Sequence, residues 1–187
     1  MKLLVISDIH GSLSAAKMVI EAFENEQADY LLFLGDALYH GPRNPLPDEY
    51  NPAEVAKLLN TIADRIIAVR GNCDSEVDQM LLDFPITADY QNIPLTHFKL
   101  FATHGHIFDH RTMPASVVSG NLFAFGHIHI PILTVNENNV LILNPGSVSL
   151  PKEGHEPTYA TITDSDIFIK TLDGEIYRDM GIVREQA

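Results

Sequence analysis

Uncharged apolar runs that end abruptly in polar residues dominate the pattern of this chain. The first run, residues 3–7, leads directly into Asp8-Ile9-His10. Such a run is typical of a buried β-strand. Because side chains alternate along a strand, Asp8 and His10 can project to the same side just past its end. A carboxylate and an imidazole placed there suit a bound cation better than they suit a core.

The same arrangement recurs along the chain. Further apolar runs end at Gly35-Asp36, at Arg70-Gly71-Asn72, at His104-Gly105-His106 and at Gly126-His127-Ile128-His129. One Asp-x-His pair is common by chance. Five apolar runs that each end in Asp, Asn or His indicate one shared site.

The first half of the chain predicts alternating strands and helices. A helix capped by Ser12 or Ser14 is expected to about Glu26, and a strand follows at residues 30–34. This β-α-β order predicts two parallel strands joined by a right-handed crossover. Ligands of such sheets gather beyond the carboxyl ends of the strands, which is where the first two polar clusters fall.

A proline-containing loop, a helix, a third strand and a short helix follow. The loop covers residues 39–50, and the next helix is capped by Asn51 with Pro52 at its first position. The third strand covers residues 66–69, and the short helix begins at Ser75. The loop is interpreted either as a rim or lid over the site or as a plain connector or subunit contact. The second interpretation leaves a homo-oligomer open.

The second half of the chain is rich in strands. They are expected at residues 86–90, 97–103, 122–125, 131–135, 139–143, 158–163, 166–171 and 175–178. Residue pairs typical of hairpin turns occur at Asn138-Asn139, Asp164-Ser165 and Asp173-Gly174. One helix or helical turn is expected between Pro114 and Ser119. No repeat or linker divides the chain, so residues 1–187 are expected to form one domain of the α/β (α+β) class, with two sheets packed face to face and helices outside.

Charge and cysteine content narrow the function. The net charge is −13, from 12 Lys and Arg against 25 Asp and Glu, which excludes a broad basic surface for duplex nucleic acid or anionic lipid. Cys73 is the single cysteine, which fits a reducing compartment. The first apolar run is too short for a signal peptide, and no stretch approaches the length of a membrane span. A cytoplasmic protein without membrane contact is expected.

The polar clusters contain seven groups that can ligate a metal through oxygen or imidazole nitrogen. They are Asp8, His10, Asp36, Asn72, His104, His127 and His129. One ion takes about four to six protein ligands, so seven groups predict two ions, with Asp36 as the bridge. Two ions about 4 Å apart hydrolyse phosphate esters by lowering the pKa of a shared water to give an attacking hydroxide. Ligands of this kind suit Mn²⁺, our first choice, or Fe, Zn²⁺, Co²⁺ or Ni²⁺ better than Mg²⁺ or Ca²⁺.

Five blocks in order carry a resemblance to a known family. They are Asp8-x-His10, Gly35-Asp36, Gly71-Asn72-x-Asp74, His104-Gly105-His106 and Gly126-His127-x-His129. Together they resemble the signature of the calcineurin-like metallophosphoesterase superfamily. Residues 144–147 extend the resemblance to the small bacterial and archaeal branch, and residues 40–44 and 71–78 are similar to the YfcE-type phosphodiesterases.

The resemblance implies a four-layer αββα sandwich of two mixed β-sheets flanked by helices, with a dinuclear metal site. It assigns Asp8, His10, Asp36 and His129 to one ion, and Asp36, Asn72, His104 and His127 to the other. Asp8, His10, Asp36, Asn72 and His104 are also expected to be the catalytic set.

One departure from the family pattern concerns Cys73. Phosphomonoesterase members have a histidine at this place, which is thought to protonate the leaving group. A thiol is a weaker hydrogen-bond partner and a poorer acid for an alkoxide. A phosphodiesterase acting on small-molecule phosphodiesters with good leaving groups is therefore expected. The alternatives are a phosphomonoesterase or nucleotidase, and a non-catalytic scaffold of the retromer-subunit type, which has a degraded metal site.

Four residues beside the blocks have alternative interpretations. His106 either replaces the missing proton donor or supports the metal ligands. Asp74 is expected to support the ligands or to cap a helix. Arg70 contacts the substrate phosphate or forms a structural salt bridge. Cys73 is not expected to act as a nucleophile or metal ligand.

Overall fold

In a computed structural model that describes residues 1–182, eleven strands and three α-helices follow one another in the order expected for an α/β half and a strand-rich half. The strands are β1 (Leu3–Ile6), β2 (Tyr30–Phe33), β3 (Ile66–Ala68), β4 (Tyr90–Pro94), β5 (Lys99–Thr103), β6 (Leu122–Ala124), β7 (Pro131–Val135), β8 (Leu141–Pro145), β9 (Thr158–Ile162), β10 (Asp166–Thr171) and β11 (Ile176–Gly181). The helices are α1 (Leu13–Asn25), α2 (Pro52–Asn60) and α3 (Glu76–Leu81), with a short 3-10 helix at Ala63–Arg65.

The strands form two mixed sheets. The six-stranded sheet has the order β11-β10-β9-β1-β2-β3, and β1, β2 and β3 are parallel, as the β-α-β pattern predicts. The five-stranded sheet has the order β4-β5-β6-β8-β7, with a parallel centre of β5, β6 and β8 and antiparallel edges. Because β1 and β2 are central in their sheet, their carboxyl ends lie in the middle of its edge.

The two faces of β1 are buried in different layers. Leu4 and Ile6 belong to the core under α1 and α2, whereas Leu3 and Val5 belong to the core between the two sheets. This double burial explains why the first run has no polar alternation. The expected fold class, two mixed sheets flanked by helices, is confirmed, and the described helices pack on the side of the six-stranded sheet.

Loops, rather than a helix, cover the outer face of the five-stranded sheet. Phe101 and Phe123 on that face pack with Phe108, Met113 and Val117 of the connection between β5 and β6. Residues 114–119 form turns only, one of them closed by the Val117 N–H donating to the Pro114 carbonyl at 3.0 Å. The helix or helical turn expected there is therefore reduced to a hydrogen-bonded turn.

Side-chain caps begin the helices where the sequence predicts them. The Ala15 N–H donates to the Ser12 hydroxyl, and the Glu54 N–H donates to the Asn51 side chain. Ser75 and Asp78 form a reciprocal capping box on α3. These caps satisfy backbone donors that have no partner inside the helix. No helix within residues 1–182 is both long and apolar enough to cross a bilayer.

The strand expected at residues 86–90 is wrong. Ile86 instead packs beside Phe84 in the helix-side core, and the Ala88 carbonyl accepts from the Arg70 N–H at 2.7 Å. The strand begins only at Tyr90. Apolar residues in this segment pack into the core under the helices. An apolar run here therefore does not indicate a paired β-strand.

Candidate metal centre

The polar clusters that follow five strands meet at one edge of the molecule. Backbone hydrogen bonds join the segments: the Asp8 N–H donates to the Gly35 carbonyl at 3.0 Å, and the His10 N–H donates to the Asp36 carbonyl at 3.0 Å. The Gly126 N–H donates to the His104 carbonyl at 2.7 Å. The chain segments after β1, β2, β5 and β6 are therefore held together in pairs.

Five of the candidate ligands have left-handed backbone conformations. The φ angles are 60° for Asp8, 52° for His10, 60° for Asp36, 69° for His127 and 61° for His129. A side chain in this region costs about 1–2 kcal/mol per residue. Such strain is kept at functional sites, where the surrounding hydrogen bonds over-determine the backbone. Here it turns each segment sharply and brings the side chains towards a common centre.

The first group of side chains contains Asp8, His10 and His129. The Nε2 atoms of His10 and His129 lie 3.4 Å and 3.2 Å from Asp8 Oδ1. All three side chains are almost completely buried. Three potential ligand atoms thus surround one small buried volume.

The second group contains Asp36, Asn72 and His104. His104 Nε2 lies 3.4 Å from Asp36 Oδ2 and 3.1 Å from Asn72 Oδ1. Asp36 Oδ2 also lies 3.6 Å from His10 Nε2 in the first group. Asp36 is therefore located between the two groups.

His127 lies at the edge of the second group. Its backbone N–H donates to Asp8 Oδ2 at 3.0 Å, and its ring centroid lies 5.1 Å from that of His104. The side chain is half-buried and lines the adjoining cavity. The structure therefore brings all seven expected ligands to one edge, with His127 and Asn72 as the most accessible members.

Backbone carbonyls fix the tautomers of three rings. His10 Nδ1 donates to the Tyr39 carbonyl at 2.8 Å, and His129 Nδ1 donates to the Leu150 carbonyl at 2.6 Å. His104 Nδ1 donates to the Leu34 carbonyl at 2.7 Å. Because a carbonyl only accepts, each neutral ring has its lone pair on Nε2, facing the groups described above. This is the usual orientation of a metal-ligating histidine.

The electrostatics of the groups also favour a cation. Burial opposes charge on Asp8, yet the neighbouring imidazoles of His10 and His129 hold its pKa well below the usual value. Burial likewise lowers the pKa of His104, but Asp36 and Asp8 raise it to about 9. The buried carboxylates therefore favour positive charge in the space between them.

The residues present fit divalent metal ions. Asp8 Oδ1 is buried and has no hydrogen-bond partner within residues 1–182, while Nε2 lone pairs face it. The seven expected ligands offer carboxylate or amide oxygens and imidazole nitrogens, which suit Mn²⁺ and the later first-row ions. The Cys73 Sγ, which was not expected to bind metal, also lies within 4.8 Å of potential ligand atoms of His10 and Asp36. Burial and Asp36 raise the pKa of the Cys73 thiol to about 12, so this side chain stays a thiol at neutral pH.

Asp74 positions the loop that carries Asp36. Its Oδ2 accepts from the backbone N–H groups of Asp36 and Gly71 at 2.8 and 2.7 Å, and its Oδ1 accepts from the Ala37 N–H at 2.8 Å. Burial raises the pKa of Asp74 to about 6 in spite of these bonds. The expectation that Asp74 supports the ligands agrees with these contacts.

The other three residues singled out in the sequence lie beside the centre. The Cys73 N–H donates to Asp36 Oδ1 at 2.8 Å, and its thiol lines the cavity. The His106 ring centroid lies 5.4 Å from that of His104. Arg70 Nε donates to the Asp74 carbonyl at 3.3 Å, so its side chain bonds to backbone and forms no salt bridge among the described residues.

A cavity of about 450 Å³ adjoins the centre. Gly41 to Asn44 line one wall, so the loop 39–50 contributes a rim, as one of its two interpretations requires. Sequence reasoning missed Lys152, which also lines this cavity. A lone lysine in a turn has no pattern that indicates a site.

Sequence reasoning also assigned no site role to three polar residues that hydrogen-bond to the backbone of the ligand loops. The Ser149 hydroxyl donates to the Asp8 carbonyl at 2.9 Å, as does the Ser147 hydroxyl. The Asn144 amide donates to the Gly126 carbonyl at 2.8 Å. The block at residues 144–147, which carries part of the family resemblance, contains Asn144 and Ser147, whereas Ser149 lies outside it.

Comparison with known proteins identifies the family. Residues 1–166 match the calcineurin-like phosphoesterase superfamily domain. Phosphodiesterase YfcE of Escherichia coli (strain K12) is 50% identical over 167 residues, which are 89% of this chain and 89% of that protein. The solved structure of Yfce from E. coli, described as a phosphoesterase, superposes with a TM-score of 0.94 at 46% identity and covers 98% of this chain and 100% of that chain.

A more distant structure shares the fold alone. Vps29 from Entamoeba histolytica, complexed with Zn²⁺, has a TM-score of 0.63 at 20% identity and covers 98% of this chain and 100% of that chain. The family expected from the sequence blocks is confirmed by the nearer matches. The chain therefore belongs to the calcineurin-like phosphoesterase superfamily and is a phosphoric ester hydrolase of that family.

Proposed function

We propose that this chain is a phosphodiesterase that uses two divalent cations to hydrolyse small-molecule phosphodiesters. The observation that carries the proposal is the buried convergence of carboxylates with imidazoles whose Nε2 lone pairs face them. The 50% identity to a protein named as a phosphodiesterase supports the choice of a diester substrate.

The proposed ligands divide into two sets that share Asp36. One ion is assigned to Asp8, His10, Asp36 and His129, and the other to Asp36, Asn72, His104 and His127. The position of Asp36 Oδ2 between His10 and His104 supports its role as the bridge. When bound, two such metal ions supply Lewis-acid activation of a water and neutralise charge on the phosphoryl group. Mn²⁺ is proposed as the first of the ions that this donor set suits.

The protein's own contribution is pre-organisation. The bonds from three Nδ1 atoms to carbonyls fix the rings before substrate arrives, and Asp74 fixes the backbone of Asp36. His127 and Asn72 are accessible from the cavity, so the phosphate is proposed to bind on that side of the centre. Groups already aimed at developing charge need no reorganisation during the reaction.

Diesters are favoured over monoesters because of Cys73. Its thiol lines the cavity beside the centre, where a proton donor for the leaving group would be placed. With a pKa raised to about 12 by burial and Asp36, the thiol is a poor acid for this purpose. A good leaving group such as an aryl oxide needs little protonation. A phosphomonoesterase or nucleotidase remains the second candidate and requires another donor, and the candidate is His106, whose ring centroid lies 5.4 Å from that of His104.

The scaffold alternative is disfavoured by the completeness of the site. A scaffold has no need for buried carboxylates, oriented imidazoles and strained ligand loops. We further propose a reducing, cytoplasmic location, on the ground that the single cysteine is free. A homo-oligomer stays a prediction, and light scattering of the purified protein tests it.

The decisive experiment combines metal analysis with turnover. Protein stripped with EDTA is reloaded with Mn²⁺, its metal content is measured by mass spectrometry, and hydrolysis of bis-(p-nitrophenyl) phosphate is followed. Two bound ions and metal-dependent turnover are expected. If protein fully loaded with Mn²⁺ shows no turnover, the proposal of a phosphodiesterase is rejected.

Two variants test the ligand assignment. Asp36→Ala and Asn72→Ala should each lose most activity while circular dichroism shows that the fold survives. Asp64→Ala, an exposed carboxylate away from the cavity, is the matched control. Near-normal turnover with full metal content in either site variant would show the assignment to be wrong.

A further inference from the structure

Two cationic side chains line the cavity beside the candidate metal centre. They are Arg43, from the loop 39–50, and Lys152, from the turn after β8. Both are exposed, and neither forms an ion pair or a side-chain hydrogen bond with any residue in the described range 1–182. Arg65, Arg70, Arg111 and Arg178 also form no ion pair among the described residues, so what distinguishes Arg43 and Lys152 is their position at one cavity of a protein whose net charge is −13.

Most lysines elsewhere in the described chain are paired. Lys2 and Lys170 contact Glu26, Lys17 contacts Glu49, and Lys57 contacts Glu54. Carboxylates are thus abundant enough to have paired Arg43 and Lys152 as well. Their charges instead face a cavity, where an anionic ligand can compensate them.

The backbone holds both residues close to the centre. The Lys152 N–H donates to the carbonyl of His129 at 3.2 Å, and the Lys152 carbonyl accepts from the His155 N–H at 3.1 Å. Arg43 lies in a turn closed by the Asn44 N–H donating to the Gly41 carbonyl at 3.2 Å. Fixed backbones with long side chains give the two charges a defined location and some reach.

Gly41 sets the distance between this turn and the centre. It has a φ of 78°, and a Cβ added to it would lie 3.1 Å from the Cys73 Sγ. The turn therefore lies directly against the segment that carries Asn72 and Cys73. Arg43 is fixed beside the metal centre by this contact and does not belong to a remote surface.

The cavity is larger than a single phosphoryl group requires. Its volume of about 450 Å³ falls within the range of about 300–1,000 Å³ for small-molecule sites. The candidate metal ligands form one wall, and the cations belong to the loop and turn beside it. A ligand that fills this space can place one phosphate at the metals and another anionic group at the cations.

We propose that Arg43 and Lys152 form an anion subsite that binds a second phosphate group of the substrate. The inference rests on the proposed phosphodiesterase function and names its substrate class: phosphodiesters that carry an additional phosphate. The guanidinium presents paired donors that match two phosphate oxygens, and the ammonium adds a point charge. Binding the remote phosphate orients the scissile ester at the metal centre.

A matched pair of chromogenic substrates tests the subsite. They are the 5′-(p-nitrophenyl phosphate) of thymidine with and without a 3′-phosphate, so the scissile bond and the leaving group are the same. For the Mn²⁺-loaded enzyme at fixed ionic strength, the 3′-phosphate should raise kcat/KM about tenfold or more, as expected for new charge-assisted hydrogen bonds. The ratio of kcat/KM for the substrate with the 3′-phosphate to kcat/KM for the substrate without it should fall as salt is added, because the cations are exposed.

Arg43→Gln and Lys152→Gln should each lower the ratio, and the double variant should bring it close to one. Lys57→Gln removes the same charge at a site outside the cavity and should keep the ratio of the unmodified enzyme. A ratio near one in the unmodified enzyme, or a ratio that the two variants do not change, overturns the subsite.

A binding measurement separates the two proposals. Calorimetry compares thymidine 3′,5′-bisphosphate with thymidine 5′-monophosphate, and the bisphosphate should bind more tightly in a way that depends on Arg43 and Lys152. If neither chromogenic substrate is hydrolysed by loaded protein, the phosphodiesterase proposal fails. The affinity ratio then still decides the subsite: variant-dependent discrimination supports it, and equal affinities overturn it.

Discussion

The Nε2 atoms of His10 and His129 lie 3.4 Å apart. Each ring donates its Nδ1 proton to a carbonyl, so two neutral rings would direct their lone pairs at one another and at Asp8 Oδ1. This contact is repulsive unless a proton or a metal ion lies between the atoms. The folded chain therefore contains an electrostatic cost that a cation relieves.

Metal binding should consequently stabilise the protein. At free Mn²⁺ a hundredfold above its dissociation constant, the free energy of unfolding rises by about 2.7 kcal/mol. For a chain of this length, that corresponds to a rise in Tm of about 5–10 °C. Differential scanning calorimetry with EDTA and with Mn²⁺ measures the shift.

The histidine variants supply the control for this measurement. His129→Gln should reduce the Mn²⁺-dependent rise in Tm, whereas His97→Gln, an exposed histidine outside the centre, should leave it unchanged. Equal melting temperatures with and without saturating Mn²⁺ would contradict the assignment of His10 and His129 as ligands.

Asp74→Asn should weaken metal binding without unfolding the protein. An amide has one acceptor oxygen, so it cannot accept from Asp36, Ala37 and Gly71 in the way that the two carboxylate oxygens do. Loss of such support around a metal site costs about 10–100-fold in affinity or activity. Titration with Mn²⁺ and kcat/KM for a diester measure the effect.

Asp78 is the matched control for Asp74. It is also a buried aspartate, and its carboxylate accepts from the backbone N–H and the hydroxyl of Ser75, which caps α3. Asp78→Asn should lower the free energy of unfolding and leave Mn²⁺ affinity unchanged. Identical losses of affinity in the two variants would show that Asp74 acts through general stability alone.

Cys73→His should raise the ratio of monoesterase to diesterase activity. An imidazole beside the cavity can protonate an alkoxide leaving group. We expect a gain of about tenfold or more, below the roughly 10²–10⁴-fold of an optimally placed general acid. The comparison is kcat/KM for p-nitrophenyl phosphate against bis-(p-nitrophenyl) phosphate. Cys73→Ser, which supplies no comparable acid, should keep the original ratio. If the histidine variant also keeps it, position 73 does not control the leaving group.

Glu26 provides a pH-dependent contribution to stability far from the metal centre. Burial opposes its charge, but Lys170, Lys2 and Tyr159 lower its pKa from 4.5 to about 2. A carboxyl whose pKa is lower in the folded state stabilises the fold above its unfolded pKa. This contribution is present above about pH 4.5 and is lost as the pH falls towards 2.

Glu26→Gln should lower the free energy of unfolding by about 1–2 kcal/mol at pH 7, after allowance for partial exposure. The difference from the unmodified protein should shrink as the pH falls from 4.5 to about 2. Urea unfolding in EDTA at several pH values measures it without interference from metal release. The exposed neighbour Glu24→Gln should show almost no effect. A difference that is independent of pH would exclude the ionised carboxylate as its source.

The sequence predicted the structure well where burial of a strand on both faces determined the pattern of apolar residues. The run before Asp8 is uncharged because β1 is buried on both faces, and the same requirement marks the strand before Asp36. Sharp turns after these strands explain the polar residues and the glycines that flank them. The parallel β1–β2 pair and the convergence of the clusters could therefore be predicted.

Other features depend on groups that leave no pattern in the sequence. The carbonyls that orient His10, His104 and His129 belong to Tyr39, Leu34 and Leu150, and any residue has a carbonyl. The left-handed backbone of His127 could not be predicted either, because histidine adopts a positive φ more often than most residues but still rarely. The strand misplaced at 86–90 failed for a different reason, since Ile86 is buried by a helix-side core and pairs with no strand.

The pairing of β1 with β9 has a consequence for how this protein is made. Leu3 pairs with Ile162, so one edge of the first strand lacks its partner until most of the chain has been synthesised. At about 5–20 residues per second, the nascent strand waits roughly 8–30 s on the ribosome. An unpaired edge attracts other chains. Chains that terminate before Thr158, the first residue of β9, should therefore aggregate rather than accumulate as partly folded enzyme.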